Sequence, residues 1–358
     1  MLARRLGCRP EDLLDFSSNV DDGAAPLTAE IAETIDPALH RYADPRCVDL
    51  HRAVAGMEEV AQDMVLAANG SSEAVFLAIA GLRPRKVLVL GPAFAEYARA
   101  CQGLGIEHAL HALDPGADFR LTDADVAAVR GSDADMVVLC APCNPTGAAL
   151  SDAPARLATA LAGRTLLMDA AYREFVHHTA HFAPLTWGGL RRTLAADTRL
   201  VLLSSFTKWG CCPGVRLGYA LADPGDVERM GAVQPAWSVS QFAQDLGVAL
   251  ARRIGEYRAL RADLPERRER MARDLAACPA IARVTPSDAN FLLLRLAPGL
   301  RAGDAAEALL DERLVVRVGD TIPGLHAGTW LRAQVKADHE NQRLVRALSG
   351  LAARIMGV

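Results

Sequence analysis

A lysine ends the stretch Leu200-Val-Leu-Leu-Ser-Ser-Phe-Thr-Lys208, which begins with four apolar residues. Apolar runs of this length, rich in valine and leucine, are typical of strands buried on both faces of a parallel sheet. A lysine that follows such a strand lies near an apolar floor, where desolvation lowers the pKa of its ammonium group and turns the amine into a nucleophile for carbonyls. Most lysines are solvated, so Lys208 can be identified as such a nucleophile only together with the residues that follow the neighbouring strands.

Similar apolar runs recur upstream and alternate with amphipathic segments. The runs are Lys86-Val-Leu-Val-Leu90, Met136-Val-Val-Leu-Cys140 and Thr165-Leu-Leu-Met168, and residues 64–67 form a further strand candidate. Residues 72–82 and 153–161 lie between the runs and are predicted to be helices. The alternation predicts an α/β fold in which a mostly parallel sheet carries helices on both faces.

The pattern changes after about Pro235. Long helices are predicted over residues 241–264 and 266–277, strands over 290–296 and 314–318, and a last helix from about residue 340. A chain of 358 residues is long enough for two domains. We therefore predict a large α/β domain over residues 46–234 and a small α+β domain built from both chain ends, residues 1–45 and 235–358.

Composition restricts the kind of partner. Of the residues, 51% are hydrophobic and 23% are charged, and the formal net charge is −4. The basic residues form no run with interleaved aromatics, so we expect no nucleic-acid partner. No apolar run approaches the roughly 20 residues of a membrane helix, and the first residues lack the apolar stretch of a signal peptide. We expect a cytoplasmic metabolic protein with a small-molecule substrate, no membrane partner and free thiols at its cysteines.

Polar residues follow three consecutive predicted strands. Ala141-Pro-Cys-Asn-Pro-Thr-Gly147 comes after the second run, Asp169-Ala-Ala-Tyr172 after the third, and Ser204 to Lys208 after the fourth. Ligands of open parallel sheets bind beyond the carboxyl ends of the strands, so these residues are predicted to share one site. A carboxylate at Asp169 could keep a pyridine nitrogen protonated, or it could cap the following segment as a helix N-cap.

Two segments offer donors for a phosphate group. Arg216 lies between glycines in Pro213-Gly-Val-Arg-Leu-Gly218, which suits close approach to an anion, and Ser205 and Thr207 add hydroxyls. Upstream, Ala68-Asn-Gly-Ser-Ser-Glu73 opens a predicted helix, and backbone N–H groups at a helix start attract anions. Each segment is a weak signal by itself.

Together, Asn144-Pro-Thr-Gly147, Asp169-x-x-Tyr172, Ser205-x-Thr-Lys208 and Arg216 resemble, in order and spacing, the class I/II aminotransferases, enzymes of PLP (pyridoxal 5′-phosphate) fold type I. The resemblance covers nearly the whole chain. It implies that Lys208 holds the cofactor as a Schiff base and shuttles the proton at Cα, and that Asp169 pairs with the pyridinium nitrogen. The other implied contacts are Asn144 and Tyr172 to the phenolic oxygen, Gly70, Ser71, Ser72, Ser205, Thr207 and Arg216 to the phosphate, Phe94 to the ring face, and Tyr42 across a homodimer to the partner's cofactor phosphate.

The same resemblance implies the substrate contacts, with Arg332 on the carboxylate and Asn19 and Lys336 nearby. Within the family, the threonine-phosphate decarboxylase and histidinol-phosphate aminotransferase branches are the most similar, through the following segments: Leu14-Asp-Phe-Ser-Ser-Asn19, Phe94-Ala-Glu-Tyr97, Trp237-Ser-Val239 and Asn290-Phe-Leu-Leu-Leu294. The chain departs from the decarboxylase at Lys336, where an arginine is expected, and in lacking a His-Gly-Gly stretch before the first segment. Cys143 and Ala170 also replace the usual Asn and Glu.

The resemblance implies chemistry at Cα of an amino acid through an external aldimine, with several possible outcomes. If Arg332 holds the carboxylate in the ring plane, the Cα–H bond breaks and aminotransfer follows. If a second group holds a distal anion and turns the carboxylate out of the plane, CO2 leaves. Aminotransfer is the main prediction. Threonine-phosphate decarboxylase-like decarboxylation, chemistry at the β or γ carbon, and a catalytically inactive binding module remain alternatives.

Cysteine and histidine spacings raise a metal site as a further alternative. Cys140-Ala-Pro-Cys143 has C-x-x-C spacing, and Cys211 and Cys212 could supply two more sulfur ligands for zinc. A second C-x-x-C is absent, and the strand explains Cys140 as a core residue. The histidines 177, 178 and 181 lie in a segment without periodicity and are predicted to form an exposed loop. We expect no metal.

Overall fold

A computed structural model of the chain describes residues 2–177, 179–325 and 328–356. No helix in these ranges is long and apolar enough to span a membrane. The strands are β1 (Leu14–Asp15), β2 (Val65–Ala68), β3 (Lys86–Gly91), β4 (Glu107–Ala112), β5 (Met136–Cys140), β6 (Thr165–Asp169), β7 (Arg199–Ser205), β8 (Gly218–Ala222), β9 (Ile281–Val284), β10 (Phe291–Leu296), β11 (Leu314–Val315), β12 (Arg317–Val318) and β13 (Trp330–Gln334). The helices are α1 (Leu2–Arg5), α2 (Ala25–Glu33), α3 (Val48–Glu58), α4 (Ser71–Leu82), α5 (Glu96–Leu104), α6 (Asp123–Gly131), α7 (Ala153–Leu157), α8 (Thr179–Phe182), α9 (Trp187–Thr193), α10 (Phe206–Trp209), α11 (Pro224–Gly231), α12 (Gln241–Arg252), α13 (Ile254–Leu260), α14 (Leu264–Ala276), α15 (Ala302–Asp311) and α16 (Asp338–Met356).

Seven strands within the described ranges form a sheet in the order β2-β8-β7-β6-β5-β3-β4. Strands β7, β6, β5, β3 and β4 are parallel, and β8 runs antiparallel to both of its neighbours. The predicted mostly parallel sheet is therefore confirmed. Its register pairs Cys140 with Asp169 and Asp169 with Leu203, so the carboxyl ends of β5, β6 and β7 lie at one edge.

The sheet is buried on both faces. In β5, Val137 and Leu139 belong to one apolar cluster, and Met136 and Val138 belong to a second cluster on the opposite face. Helices α4 and α5 cover the second face, while α3, α6, α9 and α12 contribute to the first. Because both faces are covered, the strands read as continuous apolar runs rather than alternating patterns.

A second sheet has the order β12-β13-β10-β9 and is antiparallel. Both chain ends meet beside it, since β1 pairs in parallel with β11 through Leu14 opposite Leu314 and Asp15 opposite Val315. The seven-stranded sheet spans residues 65–222 and the second sheet residues 281–334. The division into domains of residues 46–234 and of 1–45 with 235–358 stays a prediction.

Two predicted elements are divided in the structure. The helix expected over residues 241–264 consists of α12 and α13, which meet at Arg253, and Pro265 at the start of α14 cannot donate a hydrogen bond to a preceding turn. The strand expected over residues 314–318 is split at Val316, because β11 pairs with β1 and β12 pairs with β13. Helix α7 ends at Leu157, four residues before the predicted end.

The contact between α4 and α11 predicts the effect of a side chain at Gly81. A Cβ there would lie 2.7 Å from Met230 Cα and 2.8 Å from the Arg229 carbonyl oxygen, and backbone atoms cannot swing aside. We expect Gly81→Ala to destabilise the protein by about 1–3 kcal/mol through overpacking, measured as a lower midpoint of thermal unfolding. The control is Gly103→Ala in α5, where a Cβ meets no atom within 4 Å, and it should stabilise by about 0.5–1 kcal/mol. Equal effects of the two substitutions would contradict the packing described.

Candidate active site

A cavity of about 510 Å3 opens at the carboxyl ends of β5, β6 and β7. It is bounded on its other sides by the start of α4, the segment that follows β3, and strands β12 and β13. The predicted site residues that line it are Asn19, Ser71, Ser72, Phe94, Asn144, Asp169, Tyr172, Ser205, Thr207, Lys208, Arg216 and Arg332. The fold thus brings together residues that are up to 313 positions apart in the chain, from Asn19 to Arg332.

Lys208 lies on α10, a single helical turn directly after β7. Its Nζ donates to Asn19 Oδ1 at 3.2 Å and lies 5.7 Å from the centre of the Tyr172 ring. Burial, followed by the positive charges of Arg332 and Arg216, lowers the pKa of Lys208 to about 8. More of the amine is therefore neutral at neutral pH than in an ordinary lysine, and the neutral amine is the form that attacks carbonyls.

Asp169 is the last residue of β6, and its carboxylate is buried and held from two sides. Tyr97 donates its hydroxyl to Oδ2 at 2.6 Å, and the backbone N–H of Ala171 donates to Oδ1 at 3.0 Å. Burial raises the pKa of Asp169. The sequence prediction missed Tyr97 as a site residue. The available signal was its place three residues after Phe94, the predicted ring-face residue, and the two rings meet edge to face at 5.9 Å.

A chain of hydrogen bonds links Lys208 to Tyr172. Asn19 accepts from the lysine with Oδ1 and donates with Nδ2 to the Tyr172 hydroxyl oxygen. Since that oxygen accepts from Asn19, the proton of the tyrosine hydroxyl is directed elsewhere. Asn19, predicted as a substrate contact, therefore also orients two other side chains of the site.

Arg332 lies on β13 and is buried, with 6% of its surface exposed. Its Nη1 donates to Asn144 Oδ1 at 2.6 Å and its Nη2 donates to the Ser17 carbonyl oxygen at 2.7 Å. Its Nε has no partner within the described residues. Burial lowers the pKa of Arg332. The contact with Asn144 joins a predicted substrate residue to a predicted cofactor residue and leaves the Asn144 amide nitrogen available as a donor.

Arg317 is a second cavity arginine that the sequence prediction missed. It lies directly opposite Arg332 in the pairing of β12 with β13, so both side chains project from the same face of the sheet. Arg317 has no hydrogen bond or ion pair to an acceptor among the described residues, and its positive charge contributes to the lowered pKa of Arg332. An arginine in the otherwise apolar stretch Leu314-Val-Val-Arg-Val318 was the available signal.

The start of α4 forms a compact cradle with Arg216. Gly70, the residue before the helix, has a φ of +79°, and a Cβ there would lie 2.6 Å from Arg216 Nη2. A Cβ at Gly218 of β8 would lie 2.7 Å from the Ser71 backbone nitrogen, so the first turn of α4 rests directly on the sheet. The first N–H groups of a helix lack partners within it. They point, with this guanidinium, toward one place for an anion.

Three predicted site residues do not line the cavity: Gly70, which lies beside Arg216 directly before α4, and Tyr42 and Lys336. Tyr42 has 81% of its surface exposed and packs against Trp237 with the ring centres 5.0 Å apart. Lys336 forms an ion pair with Asp22 and lies 5.9 Å from the centre of the Phe16 ring. The contact of Tyr42 with a partner subunit and the contact of Lys336 with a substrate stay predictions.

Cys140 and Cys143 each donate a hydrogen bond to a different backbone carbonyl oxygen. Cys140 lines the cavity and donates its thiol to the Pro142 carbonyl oxygen at 3.3 Å, while Cys143 donates to the Pro92 carbonyl oxygen at 3.3 Å. The interaction with the Cys143 thiol, followed by burial, raises the pKa of Cys140. Within the described residues no group of three or more His, Cys, Asp or Glu side chains is arranged to hold a metal ion. His178 lies outside the described residues.

Comparison with known proteins agrees with this geometry. Residues 11–351 match the family described as aminotransferase class I and II, whose members depend on pyridoxal 5′-phosphate. The chain is 32% identical over 359 residues to threonine-phosphate decarboxylase of Salmonella typhimurium strain LT2, covering 98% of this chain and 94% of that protein. It is 32% identical over 343 residues to histidinol-phosphate aminotransferase 2 of Burkholderia pseudomallei strain 1710b, covering 94% and 91%.

Solved structures give the same fold. The crystal structure of L-threonine-O-3-phosphate decarboxylase from Porphyromonas gingivalis matches with a TM-score of 0.81 at 22% identity, and the match covers 95% of this chain and 99% of that one. At this identity the likeness shows the fold alone. The family match over most of the chain and the relatives at 32% identity carry the assignment further. The chain is an enzyme of the aminotransferase class I and II family.

Proposed function

We propose that this enzyme binds pyridoxal 5′-phosphate through Lys208 and decarboxylates an amino acid that carries a second anionic group, an O-phosphorylated amino acid such as threonine phosphate. The observation that carries the proposal is the pair Arg317 and Arg332, which lie opposite each other on adjacent strands and both line the cavity. Like charges in such positions destabilise a sheet. An anion bound between the two guanidinium groups would remove that repulsion.

The residues of the cavity fit the cofactor. The cradle of Gly70 and Arg216 offers a guanidinium and helix N–H groups to a phosphate, and a side chain at Gly70 would displace the guanidinium. Asp169 offers a buried carboxylate to the pyridine nitrogen, and Lys208 offers an amine of lowered pKa to the aldehyde. The other two lysines of the chain, Lys86 and Lys336, are held in ion pairs.

Asp169 would hold a proton at the ring nitrogen. The chemistry that the bound cofactor supplies is the withdrawal of electrons from the bonds at Cα of an attached amino acid. The Tyr97 hydroxyl fixes one carboxylate oxygen of Asp169 and leaves lone pairs of the carboxylate for the nitrogen. Phe94, whose ring meets Tyr97 edge to face at 5.9 Å, lines the cavity as an apolar wall for a planar ring.

Asn144 and Tyr172 would donate to the phenolic oxygen. Arg332 occupies the amide oxygen of Asn144, so the NH2 group is the end left to donate. Asn19 likewise occupies the hydroxyl oxygen of Tyr172 and leaves the O–H proton free. Lys208 can take or return a proton at the reacting carbon, since its pKa of about 8 lies close to the working range of a general acid–base group.

The arginine pair favours decarboxylation because both guanidinium groups can bind the phosphate of the substrate. A phosphate offers several acceptor oxygens and can bind two guanidinium groups at once, with Arg317 at the more exposed position. With Arg317 and Arg332 bound to the phosphate and Arg216 in the cofactor cradle, no further arginine among the described residues that line the cavity would hold the substrate carboxylate. The bound cofactor would supply the electron withdrawal by which a carboxylate without such a clamp could be lost as CO2. The relative from Salmonella, a threonine-phosphate decarboxylase, supports this choice.

Aminotransfer is the second candidate, and the fixed position of Arg332 favours it. The hydrogen bonds to Asn144 and to the Ser17 carbonyl hold the guanidinium at one place, where it could bind a carboxylate by itself and leave the Cα–H bond to break. The relative from Burkholderia, a histidinol-phosphate aminotransferase, supports this candidate.

We further propose that the enzyme is a cytoplasmic homodimer. Leu39, Tyr42 and Trp237 are large hydrophobic residues with 79%, 81% and 50% of their surface exposed. Tyr42 and Trp237 pack on each other, so they form one apolar patch rather than isolated contacts. A second copy of the chain is the proposed partner of this patch, and the patch supports the predicted reach of Tyr42 toward a neighbouring cofactor.

The lowered pKa of Lys208 predicts a pH profile for its reactivity. In protein freed of cofactor, acetylation of Lys208 by acetic anhydride should be half-maximal near pH 8, whereas Lys86, whose pKa is raised to about 12 by hydrogen bonds to Asp133 and Glu107, should react only at higher pH. Arg332→Gln removes a positive neighbour, which stabilises the ammonium form, so the Lys208 midpoint should move upward. Mass spectrometry of the labelled peptides measures both lysines in one sample.

The control for this experiment is Arg295→Gln, since Arg295 lies on β10, is exposed and does not line the cavity. This variant should leave the Lys208 midpoint unchanged. A wild-type midpoint near 10.5, the ordinary lysine value, would contradict the buried amine on which the proposed chemistry rests.

The proposed substrate class predicts a specific product. Wild-type enzyme with pyridoxal 5′-phosphate should release CO2 from L-threonine O-3-phosphate, detected by mass spectrometry together with the phosphorylated amine. Arg317→Gln should lower kcat/KM for this substrate by about tenfold to a hundredfold, the effect of a lost charge-assisted hydrogen bond of about 1.5–3 kcal/mol. Arg295→Gln should have no effect. A 2-oxo acid without CO2 would overturn the proposal in favour of aminotransfer.

A further inference from the structure

The backbone that carries Lys208 has an unusual set of hydrogen bonds. Helix α10 is one turn long, so it satisfies few of its own carbonyl groups. The Phe206 carbonyl oxygen accepts from the Gly210 N–H at 2.9 Å, and the Thr207 carbonyl oxygen accepts from the Cys212 N–H at 3.3 Å. The next three carbonyls in the chain, those of residues 208, 209 and 210, have partners from distant parts of the sequence.

Each of these three carbonyls accepts one hydrogen bond from a different element. The donors are the Asp21 N–H to the Lys208 oxygen at 2.8 Å, Arg261 Nη1 to the Trp209 oxygen at 3.4 Å, and Thr28 Oγ1 to the Gly210 oxygen at 2.6 Å. The donors come from residues 21–28 and from residue 261, outside the seven-stranded sheet. The segment directly after the lysine is thus held by both ends of the chain.

Arg261 connects two of these contacts. It is 1% exposed, and its Nη1 lies 3.5 Å from Asp21 Oδ2 as well as within hydrogen-bond distance of the Trp209 carbonyl. One guanidinium therefore contacts the residue whose N–H binds the Lys208 carbonyl and also the carbonyl that follows it. The carbonyls of two successive peptides, Lys208–Trp209 and Trp209–Gly210, are therefore held by Asp21 and Arg261, which contact each other.

The burial of Arg261 is energetically unfavourable. Its Nε and Nη2 have no hydrogen-bond partner within the described residues, and the ring of Phe175, 5.4 Å from its Cζ, compensates only in part. Burial lowers the pKa of Arg261 and raises that of Asp21, which is the expected result when both groups leave water. A buried cation with these deficits does little for stability. What it provides is contact with the Trp209 carbonyl and with Asp21, next to the backbone of Lys208.

Thr28 and Tyr257 complete the support from the same side. The Thr28 hydroxyl lies 2.7 Å from the Tyr257 hydroxyl while it donates to the Gly210 carbonyl. The Tyr257 ring meets the Trp209 ring edge to face at 5.1 Å. Helix α13, which contains Tyr257 and ends directly before Arg261, therefore contacts the segment after Lys208 through a side-chain pair and through a guanidinium.

We infer that Arg261 is a positioning residue for the reaction: together with Thr28 it fixes the carbonyls that follow Lys208 and so fixes the place of Nζ relative to Asn19. This inference rests on the proposed role of Lys208. Arg261 does not line the cavity, so it acts on Lys208 only through the Trp209 carbonyl and through Asp21, whose N–H binds the Lys208 carbonyl. Its loss should therefore affect the turnover step rather than substrate binding, because small misplacements of a reacting group slow the chemistry steeply.

The test compares Arg261→Met with wild-type holoenzyme. We expect kcat to fall by about tenfold to a hundredfold with KM changed by less than about twofold. A readout independent of activity is hydrogen exchange of the backbone amides of Asp21, Gly210 and Cys212, which should become at least about tenfold faster because the segment opens locally. Arg261→Lys should restore part of both effects, and Thr28→Val should produce smaller changes in the same direction.

The matched control is Arg258→Met. Arg258 belongs to the same charged cluster through Glu174 but contacts none of the three carbonyls, so kcat and amide exchange should stay at the wild-type level. Equal changes in Arg258→Met, or wild-type kcat and exchange in both Arg261→Met and Thr28→Val, would overturn the inference. If Arg261→Met does not fold, the comparison of Thr28→Val with the control Arg258→Met tests the inference by itself. A wild-type enzyme without a lysine–cofactor linkage would instead refute the proposed function, while the exchange result would still report on the backbone contacts.

Discussion

The site depends on the register of three parallel strands. Hydrogen bonding sets Cys140 of β5 beside Asp169 of β6, and Asp169 beside Leu203 of β7. Because these strands are buried on both faces, a shift of register would move polar residues into the apolar core. The end of each strand is therefore fixed in space. This also fixes the positions of the residues that follow, which include Asn144 and Lys208. Backbone pairing therefore sets the positions of the carboxylate and the amine of the proposed chemistry, in addition to their own side-chain contacts.

The amino-terminal segment adds a second set of contacts to the site that lies at the edge of the sheet. Residues 17–28 follow β1, which pairs in parallel with β11. Along this segment, Ser17 accepts from Arg332, Asn19 contacts Lys208, and Thr28 binds the Gly210 carbonyl. The segment therefore contacts both the arginine proposed for the substrate and the lysine proposed for the cofactor. These hydrogen bonds connect the arginine and the lysine through one backbone segment, so an anion bound at Arg332 could change the position of the Lys208 amine.

The positions of the buried strands and of the residues at their ends could be predicted from the sequence. Contacts between segments that are distant in the chain could not. Strand β5 has the predicted bounds, and Asp169 and Lys208 lie where strand ends were expected, because buried parallel strands leave a strong local signal. Tyr97, Arg317 and Arg261 were missed as site or supporting residues, since their roles come from partners far away in the sequence. The helix break at residue 253 and the split strand at 314–318 likewise reflect tertiary pairing, which overrides local pattern.

The central claim is that Lys208 is the residue to which pyridoxal 5′-phosphate attaches. The chain contains three lysines, Lys86, Lys208 and Lys336, which makes the assignment unusually direct. Enzyme mixed with the cofactor is reduced with borohydride, digested and analysed by mass spectrometry. The reduced cofactor should be on the peptide that contains Lys208, with one adduct per chain, and visible absorbance should be lost on reduction. An adduct on Lys86 or Lys336 with Lys208 unmodified, or no adduct at all, would contradict it.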